Sequence, residues 1–336
     1  MSKILVTGGL GYIGSHTVVE LQQLGHEVVV VDNLSNTTIE VKARIEKITG
    51  KTFTFYNIDV CNTSALNNVF EKEQIHGVIH FAAYKAVGES VDKPTEYYHN
   101  NISGLISLLN CTKKYTVSSI VFSSSCTVYG DTKDSPITED QPVVEAISPY
   151  GTTKIIGEQI LKDYAKFSDT KIVSLRYFNP VGAHETALIG ELPLGIPSNL
   201  IPYLTQTAAG IRQQLTVFGK DYNTPDGTNI RDYIHVVDLA KAHVKAIEYC
   251  EQTDLSYDTF NLGTGKGHSV LEVIQTFETI NDLKLSYRFG PRRQGDVEQI
   301  WADTTKASTI LGWQTELTLE EMMRSSWAWQ QRLQQA

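Results

Sequence analysis

The sequence contains few cysteines and no long apolar run, and both shortages exclude classes of protein. Four cysteines occur among 336 residues, without a CxxC pair. This is too few for a disulfide scaffold and is typical of free thiols in a reducing compartment, so we expect a cytoplasmic protein. No apolar segment approaches the roughly 20 residues that a transmembrane helix needs. The first residues predict a strand rather than a signal peptide.

A histidine cluster and a positive net charge are also missing. Of the nine histidines only His76 and His80 have HxxxH spacing, and that spacing falls at a predicted strand rather than on a helix, so we expect no metal site. The formal net charge is -9, which argues against a general nucleic-acid-binding surface. Hydrophobic residues make up 41% of the chain, and its length suits two domains or one large domain with an added lobe.

The first half of the chain contains short apolar runs that alternate with helical patterns. The apolar runs are "KILVTGG", "HEVVVVDN", "FTFYNIDV", "GVIHFAA", "SSIVFSSS" and "KIVSLRYFN". Near-continuous apolar strands joined by helices predict an α/β fold with a doubly wound parallel (Rossmann) sheet. Ligands of such sheets bind at the carboxyl ends of the strands.

After Asn179 the pattern changes and becomes rich in proline and glycine. We predict a Rossmann domain over residues 1–180 and a smaller mixed α/β lobe, which binds the substrate, over residues 181–336. Residues 232–262 contain a helical pattern followed by a strand and turn, and we expect them to pack back onto the first domain.

A glycine-rich turn follows the first predicted strand. In "TGGLGYIGS", Gly8, Gly11 and Gly14 recur at three-residue intervals, and Gly9, Gly11 and Gly14 satisfy GxGxxG. A glycine triplet alone is compatible with a plain strand-helix turn. Here a strand precedes it and a helix follows, which is the setting in which free helix amides bind a pyrophosphate. The stretch therefore predicts a dinucleotide site.

Carboxylates and small residues follow the next strands. Asp32 ends the second strand, where a carboxylate can accept hydrogen bonds from both adenosine ribose hydroxyls and repel a 2′-phosphate. We therefore predict NAD rather than NADP. Asp59, in "NIDV", is expected near the adenine, although most aspartates after strands only form turns. Lys85, in "FAAYK", is placed in the site.

The stretch "SPYGTTK" puts Tyr150 and Lys154 one helical turn apart. Such a pair alone is more often a solvated helix face. Ser125, in "VFSSSCTVYG", follows a predicted strand and can hydrogen-bond a reacting oxygen. A nearby ammonium and a positive nicotinamide would lower the pKa of the Tyr150 phenol, so that it can act as a base toward a substrate hydroxyl.

These motifs together resemble those of the extended short-chain dehydrogenase/reductase family, and most closely its branch that epimerises UDP-hexoses at C4. The resemblance covers nearly the whole chain. It rests on "VTGGLGYIGSH", "VDNLSN", "HFAAYKAVGES", "YYHNN", "FSSSCTVYG", "SPYGTTK", "LRYFNPVGAH", "IPSNLIPY", "FGKDYNTPDGTNIRDYIHV", "FNLGTG", "GPRRQGD" and "WADTTKA".

The resemblance implies a reaction and a set of binding residues. UDP-galactose and UDP-glucose would interconvert through oxidation at C4, rotation of the 4-keto sugar and re-reduction, with NAD regenerated in each turnover. The residues expected to contact NAD are Gly8, Gly11, Tyr12, Ile13, Gly14, Asp32, Asn33, Asn36, Asp59, Val60, Phe81, Ala82, Ala83, Lys85, Asn100, Ser125, Tyr150, Lys154 and Phe178. The residues expected to contact the UDP-sugar are Lys85, Ser125, Tyr150, Asn179, Asn199, Val217, Phe218, Arg231, Tyr233, Arg293, Asp296 and Ile300.

Two further expectations come from the resemblance. Ile300 stands before "WAD", where some relatives have a tyrosine that narrows the sugar pocket, so additional activity on UDP-N-acetyl hexosamines is expected. The apolar stripes of Tyr98–Leu109 and Ile155–Phe167 are most often only core. In the family the corresponding helices form a two-fold bundle, which predicts a homodimer.

Other functions stay open at this point. Another NAD-dependent sugar-nucleotide epimerase or decarboxylase, of the UDP-glucuronate type, would need a further group for the C6 carboxylate, which the sequence does not reveal. A 4,6-dehydratase would need an acidic pair where this chain has "SCTVYG". A non-catalytic NAD-binding sensor is disfavoured by the retention of Ser125, Tyr150 and Lys154.

Overall fold

The computed structural model describes residues 2–132, 135–143, 145–293 and 296–335. Its strands are β1 (Lys3–Thr7), β2 (Glu27–Asp32), β3 (Thr54–Asn57), β4 (Gly77–His80), β5 (Ser119–Ser123), β6 (Lys171–Tyr177), β7 (Asn179–Val181), β8 (Leu215–Phe218), β9 (Ile230–Arg231), β10 (Tyr233–His235), β11 (Tyr257–Leu262), β12 (His268–Ser269), β13 (Tyr287–Gly290) and β14 (Gln299–Ile300).

The helices of the described chain are α1 (Tyr12–Gln23), α2 (Glu40–Thr49), α3 (Thr63–Glu73), α4 (Val87–Asp92), α5 (Pro94–Tyr98), α6 (Gly104–Lys114), α7 (Pro149–Lys166), α8 (Leu200–Ala208), α9 (Val236–Gln252), α10 (Val270–Asn281), α11 (Thr305–Ile310) and α12 (Leu319–Gln335). A π-helical turn, His99–Ser103, joins α5 to α6, and a 3₁₀ turn, Cys126–Tyr129, follows β5. None of the described helices combines the length and apolar character that a membrane crossing requires.

A seven-stranded parallel sheet combines the six strands β1 to β6 with β11 from the second half of the chain, in the order β11-β6-β5-β4-β1-β2-β3. Alternate residues of each strand point to opposite faces, so Val6 and Val30 join one buried cluster and Leu5 and Val29 the other. Both faces are apolar because helices cover both of them, which explains the near-continuous apolar strands. The predicted doubly wound α/β class is confirmed.

The two layers of helices use different parts of the chain. Helices α1 and α9 lie together on one face, with Val18 and Leu239 in its cluster. On the other face, α3, α6 and α7 contribute Leu66, Leu105 and Leu161. The chain builds outward from β1 to β3 and then returns to place β4 on the other side of β1, so the carboxyl ends of β1 and β4 flank the switch point where such folds bind ligands.

Short strands and three helices form a smaller mixed lobe. β7 pairs with β10, β8 with β13, and β9 with β12 and β14. Its core is an apolar cluster that includes Leu204 of α8, Phe277 of α10 and Met323 of α12. Strand β11 and helix α9 instead belong to the first sheet and its helical layer. The division of the chain near residue 180 stays a proposal.

Candidate active site

A cavity of about 790 Å³ lies at the carboxyl ends of the parallel strands. A volume of this size falls within the range of small-molecule and cofactor sites. The sequence-predicted residues that line it are Gly8, Gly11, Tyr12, Ile13, Gly14, Asp32, Asn33, Asn36, Val60, Phe81, Ala82, Ala83, Lys85, Asn100, Ser125, Tyr150, Lys154, Phe178 and Asn199. The structure therefore brings the glycine turn and the Ser125, Tyr150 and Lys154 side chains to one cavity.

The glycine turn between β1 and α1 has no room for a side chain at Gly8 or Gly14. Gly8 has a φ of +69°, and a Cβ there would come within 2.8 Å of the Ala82 amide nitrogen. A Cβ on Gly14 would press against the Gly8 carbonyl oxygen and come within 2.9 Å of the Gly9 Cα. Among the described residues no side chain caps the first turn of α1, and that turn contains no acidic residue. The free amides and positive end of the helix dipole suit a pyrophosphate.

Asp32 is held at the end of β2 by backbone amides. Its Oδ2 accepts from the Leu10 nitrogen at 3.1 Å, and its Oδ1 accepts from the Leu34 nitrogen at 2.9 Å. Burial raises the pKa of this carboxyl, and the Leu34, Leu10 and Gly11 amides oppose the rise. A carboxylate has about four lone-pair sites, so the group can still accept from a hydroxyl that enters the cavity. These features fit the adenosine end of NAD.

Asp59 lies just behind the cavity wall rather than on it. Its Oδ2 accepts a hydrogen bond from the Asn33 side-chain amide at 3.0 Å, and its Oδ1 accepts from the Cys61 backbone nitrogen at 2.8 Å. Asn33 itself lines the cavity. The structure thus links Asp59 to the predicted site through Asn33.

Tyr150 stands in the first turn of α7 because of how that helix begins. Ser148 is the N-cap residue and accepts from the Gly151 nitrogen at 3.2 Å, and Pro149 occupies the first helical position. Lys154 follows one turn later on the same face. Both side chains are buried, and both line the cavity.

Burial dominates the electrostatics of the Tyr150 and Lys154 pair. The Lys154 ammonium donates to the Ser123 carbonyl at 2.7 Å and lies 5.7 Å from the centre of the Tyr150 ring. Burial raises the pKa of the Tyr150 phenol well above its usual range, and the Ser125 hydroxyl opposes the rise. Burial lowers the pKa of Lys154 to about 8. Burial is therefore the largest influence on the phenol pKa within the chain, and the expected lowering by Lys154 together with a positive nicotinamide stays a prediction.

Ser125 begins a short 3₁₀ turn directly after β5. Its backbone is extended, and its Oγ accepts from the Thr127 nitrogen at 3.2 Å. The hydroxyl group is therefore both a cap of this turn and a lining group of the cavity. It retains its proton as a donor for an oxygen atom placed beside Tyr150.

The π-helical turn His99–Ser103 places Asn100 on the cavity wall. The next residue, Asn101, accepts from the Tyr84 nitrogen at 2.8 Å and donates to the Thr153 hydroxyl at 3.0 Å. Such turns insert one extra residue into a helix and are frequent at functional sites. Asn101 thereby ties the cavity wall to the helix that bears Tyr150.

Lys85 and Asn199 meet at a carboxylate that the sequence did not predict. Glu191 Oε1 lies 3.1 Å from the Lys85 ammonium and accepts from the Asn199 side-chain amide at 2.8 Å. Glu191 also lines the cavity, and its backbone carbonyl accepts from the Trp329 indole at 2.9 Å. Glu191 lies in an aperiodic proline- and glycine-rich segment, so no local pattern signals its position.

Tyr177 is a second cavity residue that the sequence did not predict. It ends β6, and its hydroxyl hydrogen-bonds the Ser123 hydroxyl. The sequence contains a signal for this position, because Tyr177 lies near the carboxyl end of the predicted strand "KIVSLRYFN", where ligands of this fold bind.

The remaining predicted residues lie outside the described lining of this cavity, and most of them are in the smaller lobe. They are Asn179, Val217, Phe218, Arg231, Tyr233, Arg293, Asp296 and Ile300. Residues 294 and 295 of the motif "GPRRQGD" lie outside the described residues.

Several of these lobe residues are neighbours. Arg231 Nη2 lies 3.8 Å from Asp296 Oδ1, and the Arg293 guanidinium lies 4.6 Å from the centre of the Phe218 ring. Burial raises the pKa of the Cys126 thiol to about 12, and the nearby charge of Arg231 opposes the rise. The charge of Arg231 therefore reaches Cys126, the first residue of the turn after Ser125.

Ile300 is buried in a small apolar cluster beside the cavity. The cluster contains Tyr129 and Phe178, and Cys126 packs against it. Phe178 lines the cavity, so Ile300 can act on the cavity through the packing of Phe178. Tyr233 and Val217 are also buried.

The chain is similar to proteins of known activity over nearly its whole length. Residues 5–326 match the family model described as GDP-mannose 4,6 dehydratase. A UDP-glucose 4-epimerase of Bacillus subtilis is 53% identical, covering 97% of this chain and 96% of that protein.

Two solved structures resemble the fold closely. A UDP-glucose 4-epimerase of Stenotrophomonas maltophila, with bound NAD and formylated UDP-arabinopyranose, is 48% identical with a TM-score of 0.97, covering 100% of this chain and 99% of that chain. A UDP-glucose 4-epimerase of Bifidobacterium longum, in complex with NAD+ and UDP, is 48% identical with a TM-score of 0.95, covering 98% of each chain.

Proposed function

The chain belongs to the UDP-glucose 4-epimerases of the extended short-chain dehydrogenase/reductase family, and from this premise we propose that it interconverts UDP-glucose and UDP-galactose with NAD. One observation carries the proposal. The Ser125, Tyr150 and Lys154 side chains line the same cavity as the glycine turn and Asp32. A nucleotide cofactor and a proton-transfer group can thus reach one substrate carbon.

Bound NAD supplies reversible hydride exchange with C4 of the hexose, and its oxidised ring carries a positive charge. The chain holds it through the glycine turn, the α1 amides and Asp32. We assign these contacts because the turn has no room for a Cβ at Gly8 or Gly14 and because Asp32 lies at the carboxyl end of β2 on the cavity wall.

Tyr150 is the general base in this proposal, and Ser125 is its partner. The Tyr150 phenolate takes the proton of the 4-hydroxyl group as C4 is oxidised, and the resulting phenol returns the proton to the same oxygen after the sugar has turned. The Ser125 hydroxyl donates to the same sugar oxygen. Because burial raises the phenol pKa, the positive charges of Lys154 and the cofactor ring must stabilise the phenolate during the reaction.

The smaller lobe anchors the nucleotide while the sugar turns. Arg231 and Arg293 present planar guanidinium groups that suit a diphosphate, and Asp296 can accept from the uridine ribose. Val217 and Phe218 would contact the uracil. Asn179 and Asn199 would donate to the diphosphate and the sugar. Loose contacts to the hexose itself allow either face of the 4-keto sugar to meet the cofactor.

The experiment that tests the proposed function uses the purified chain. Its absorbance is examined for bound NAD, and the conversion of UDP-galactose to UDP-glucose is followed by chromatography of the sugar nucleotides. We expect retained cofactor and conversion in both directions. A chain that binds NAD and converts neither sugar nucleotide would contradict the proposal.

A homodimer is also proposed, from an apolar strip on the helices that follow Pro94. Tyr98 and Ile106 are 36% and 45% exposed, and Ile102, Ile156 and Ile160 are half-buried beside them. Helices α6 and α7 lie side by side, joined by a hydrogen bond between Thr112 and Tyr164. Pairing this strip with a second copy would cover it.

Light scattering in solution tests the dimer. The Ile106→Lys variant should shift the mass toward that of one chain, whereas Leu24→Lys, at an exposed position after α1, should leave the dimer intact. An unchanged mass for Ile106→Lys would exclude this interface.

The four cysteines are free, which supports the proposal that the protein works in the reducing cytoplasm.

A further inference from the structure

A fully buried ion pair lies directly behind the Ser125 turn. Arg176 of β6 contacts Glu158 of α7 twice, from Nη2 to Oε2 at 2.6 Å and from Nε to Oε1 at 2.8 Å. The two side chains are 3% and 2% exposed. Burying a pair of charges is weak evidence for stability, because apolar residues of similar volume often serve as well. A contribution to stability therefore does not by itself explain why this site contains a buried ion pair.

Each member of the pair holds one end of the turn that begins with Ser125. The Ser124 hydroxyl donates to Glu158 Oε1 at 2.6 Å, and Ser124 immediately precedes Ser125. Arg176 Nη1 donates to the Tyr129 hydroxyl oxygen at 2.9 Å, and Tyr129 ends the turn. Hydrogen bonds to Glu158 and Arg176 thus hold the five residues from Ser125 to Tyr129 at both ends, and we call this arrangement the clamp.

The same pair reaches the elements that present the other reacting groups. Glu158 lies one turn after Lys154 and two turns after Tyr150 on α7. Arg176 lies on β6 shortly before Phe178, which lines the cavity. The Tyr129 hydroxyl continues the network to Asn261 of β11, donating to its Oδ1 at 2.7 Å.

We propose that Glu158 and Arg176 are positioning residues that hold the Ser125 turn against helix α7, so that the Ser125 and Tyr150 hydroxyls meet at one sugar oxygen. The inference deepens the proposed function and rests on it. Bidentate geometry fixes direction as well as distance, which an apolar contact does not. Small displacements of reacting groups reduce rates strongly, so loosening the clamp should affect turnover more than binding.

Two mild substitutions release one end of the turn each without breaking the ion pair. They are Ser124→Ala and Tyr129→Phe. Each should lower kcat by about tenfold, with KM for UDP-galactose and bound NAD unchanged. Amide hydrogen exchange in residues 125–130 should become faster. The Val128 and Gly130 amides, which donate to the Ser125 and Thr127 carbonyls, report on this directly.

Matched controls remove similar hydrogen bonds elsewhere. Ser107→Ala removes a bond of 2.9 Å to Thr63, and Tyr249→Phe removes a bond of 3.2 Å to Asp258. Both should keep kcat near the wild-type value and leave exchange in residues 125–130 unchanged. If Ser124→Ala and Tyr129→Phe behave like these controls, the inference is wrong.

Replacing the pair by apolar residues separates positioning from stability. The double variant Glu158→Leu/Arg176→Met should fold with a melting temperature near that of the wild type, yet lose at least about tenfold in kcat. A stable double variant with wild-type kcat would overturn the inference, even if exchange in the turn rises. If the double variant does not fold, the kcat and hydrogen exchange of Ser124→Ala and Tyr129→Phe decide whether the inference holds.

The two readouts distinguish failure of this inference from failure of the proposed function. A wild-type chain that converts no UDP-galactose removes the function, while hydrogen exchange in residues 125–130 still tests the clamp. An active wild type whose clamp variants show unchanged exchange and unchanged kcat refutes the clamp alone.

Discussion

The Lys154 ammonium lies 5.7 Å from the centre of the Tyr150 ring, alongside the phenol rather than bonded to its oxygen. Its hydrogen bond goes to the Ser123 carbonyl at 2.7 Å. The lysine is therefore fixed by the end of β5. Burial is the largest influence on the pKa of both groups and opposes the ionisation of each.

Asp32 should determine the choice between NAD and NADP. In Asp32→Asn the negative charge that repels a 2′-phosphate is gone, so the ratio of NADP to NAD affinity should rise by about tenfold or more. Competition binding of the two cofactors measures the ratio. Asp238→Asn is the matched control, because Asp238 is also buried and accepts from two backbone amides, at 2.9 and 3.0 Å. An equal change in both variants would reject the assignment of Asp32.

Gly14→Ala should prevent the chain from retaining NAD. The new Cβ would press on the Gly8 carbonyl, so the turn and the first residues of α1 must separate. Bound cofactor, measured after gel filtration, should fall sharply, and the melting temperature should drop. Gly88→Ala, where a Cβ meets open space in α4, should leave the melting temperature unchanged. Full NAD retention in Gly14→Ala would contradict the proposal that the glycine turn binds the pyrophosphate of NAD.

The elements that the sequence predicted correctly are those specified by local patterns. Strands β1 to β6 are apolar runs, and "TGGLGYIGS" marks the turn after β1 wherever the rest of the chain lies. The spacing of Tyr150 and Lys154 predicts that the two side chains are close to each other. It does not predict how deeply they are buried, because burial depends on the whole fold, and burial is what raises the pKa of the phenol.

The features that the sequence did not predict depend on distant residues. Glu191 reaches Lys85 across 106 positions, and its own segment has no period. Strands such as β9 and β14 have two residues each, too few to show alternation. The π-helical turn at Asn100 is an insertion within an otherwise continuous helical pattern, which periodicity does not locate.

Buried histidines should weaken the fold in acid. Burial lowers the pKa of His243 from 6.5 to about 4, and its Nδ1 hydrogen-bonds the Leu239 carbonyl at 2.8 Å. Between these pH values the unfolded chain binds more protons than the folded chain. The free energy of unfolding therefore falls as pH decreases from 6.5 toward about 4, by up to about 1.4 kcal/mol per pH unit for this group.

Urea unfolding of wild type and His243→Gln at several pH values tests this linkage. The difference in unfolding free energy between the two proteins removes the contributions of other titrating groups. The variant should show a shallower acid slope than the wild type. Two parallel curves between pH 6.5 and about 4 would show that His243 is not the source.

Ile300 should permit some use of UDP-N-acetyl hexosamines. Its side chain belongs to the apolar cluster that contains Phe178, a lining residue of the cavity, and it is shorter than the tyrosine that the family resemblance implies for some relatives. We expect measurable turnover of UDP-N-acetylgalactosamine by the wild type. The Ile300→Tyr variant should lose this activity more than it loses turnover of UDP-galactose. If the wild type does not convert UDP-N-acetylgalactosamine, the predicted wider sugar specificity is wrong.

The most direct test of the account is the turnover of Tyr150→Phe, which removes the one hydroxyl proposed as the base and keeps the ring. The variant should retain bound NAD and bind UDP-hexoses, and its kcat for UDP-galactose should fall by at least about 100-fold. A kcat within about threefold of the wild type, with NAD still bound, would contradict the assignment of Tyr150 as the general base.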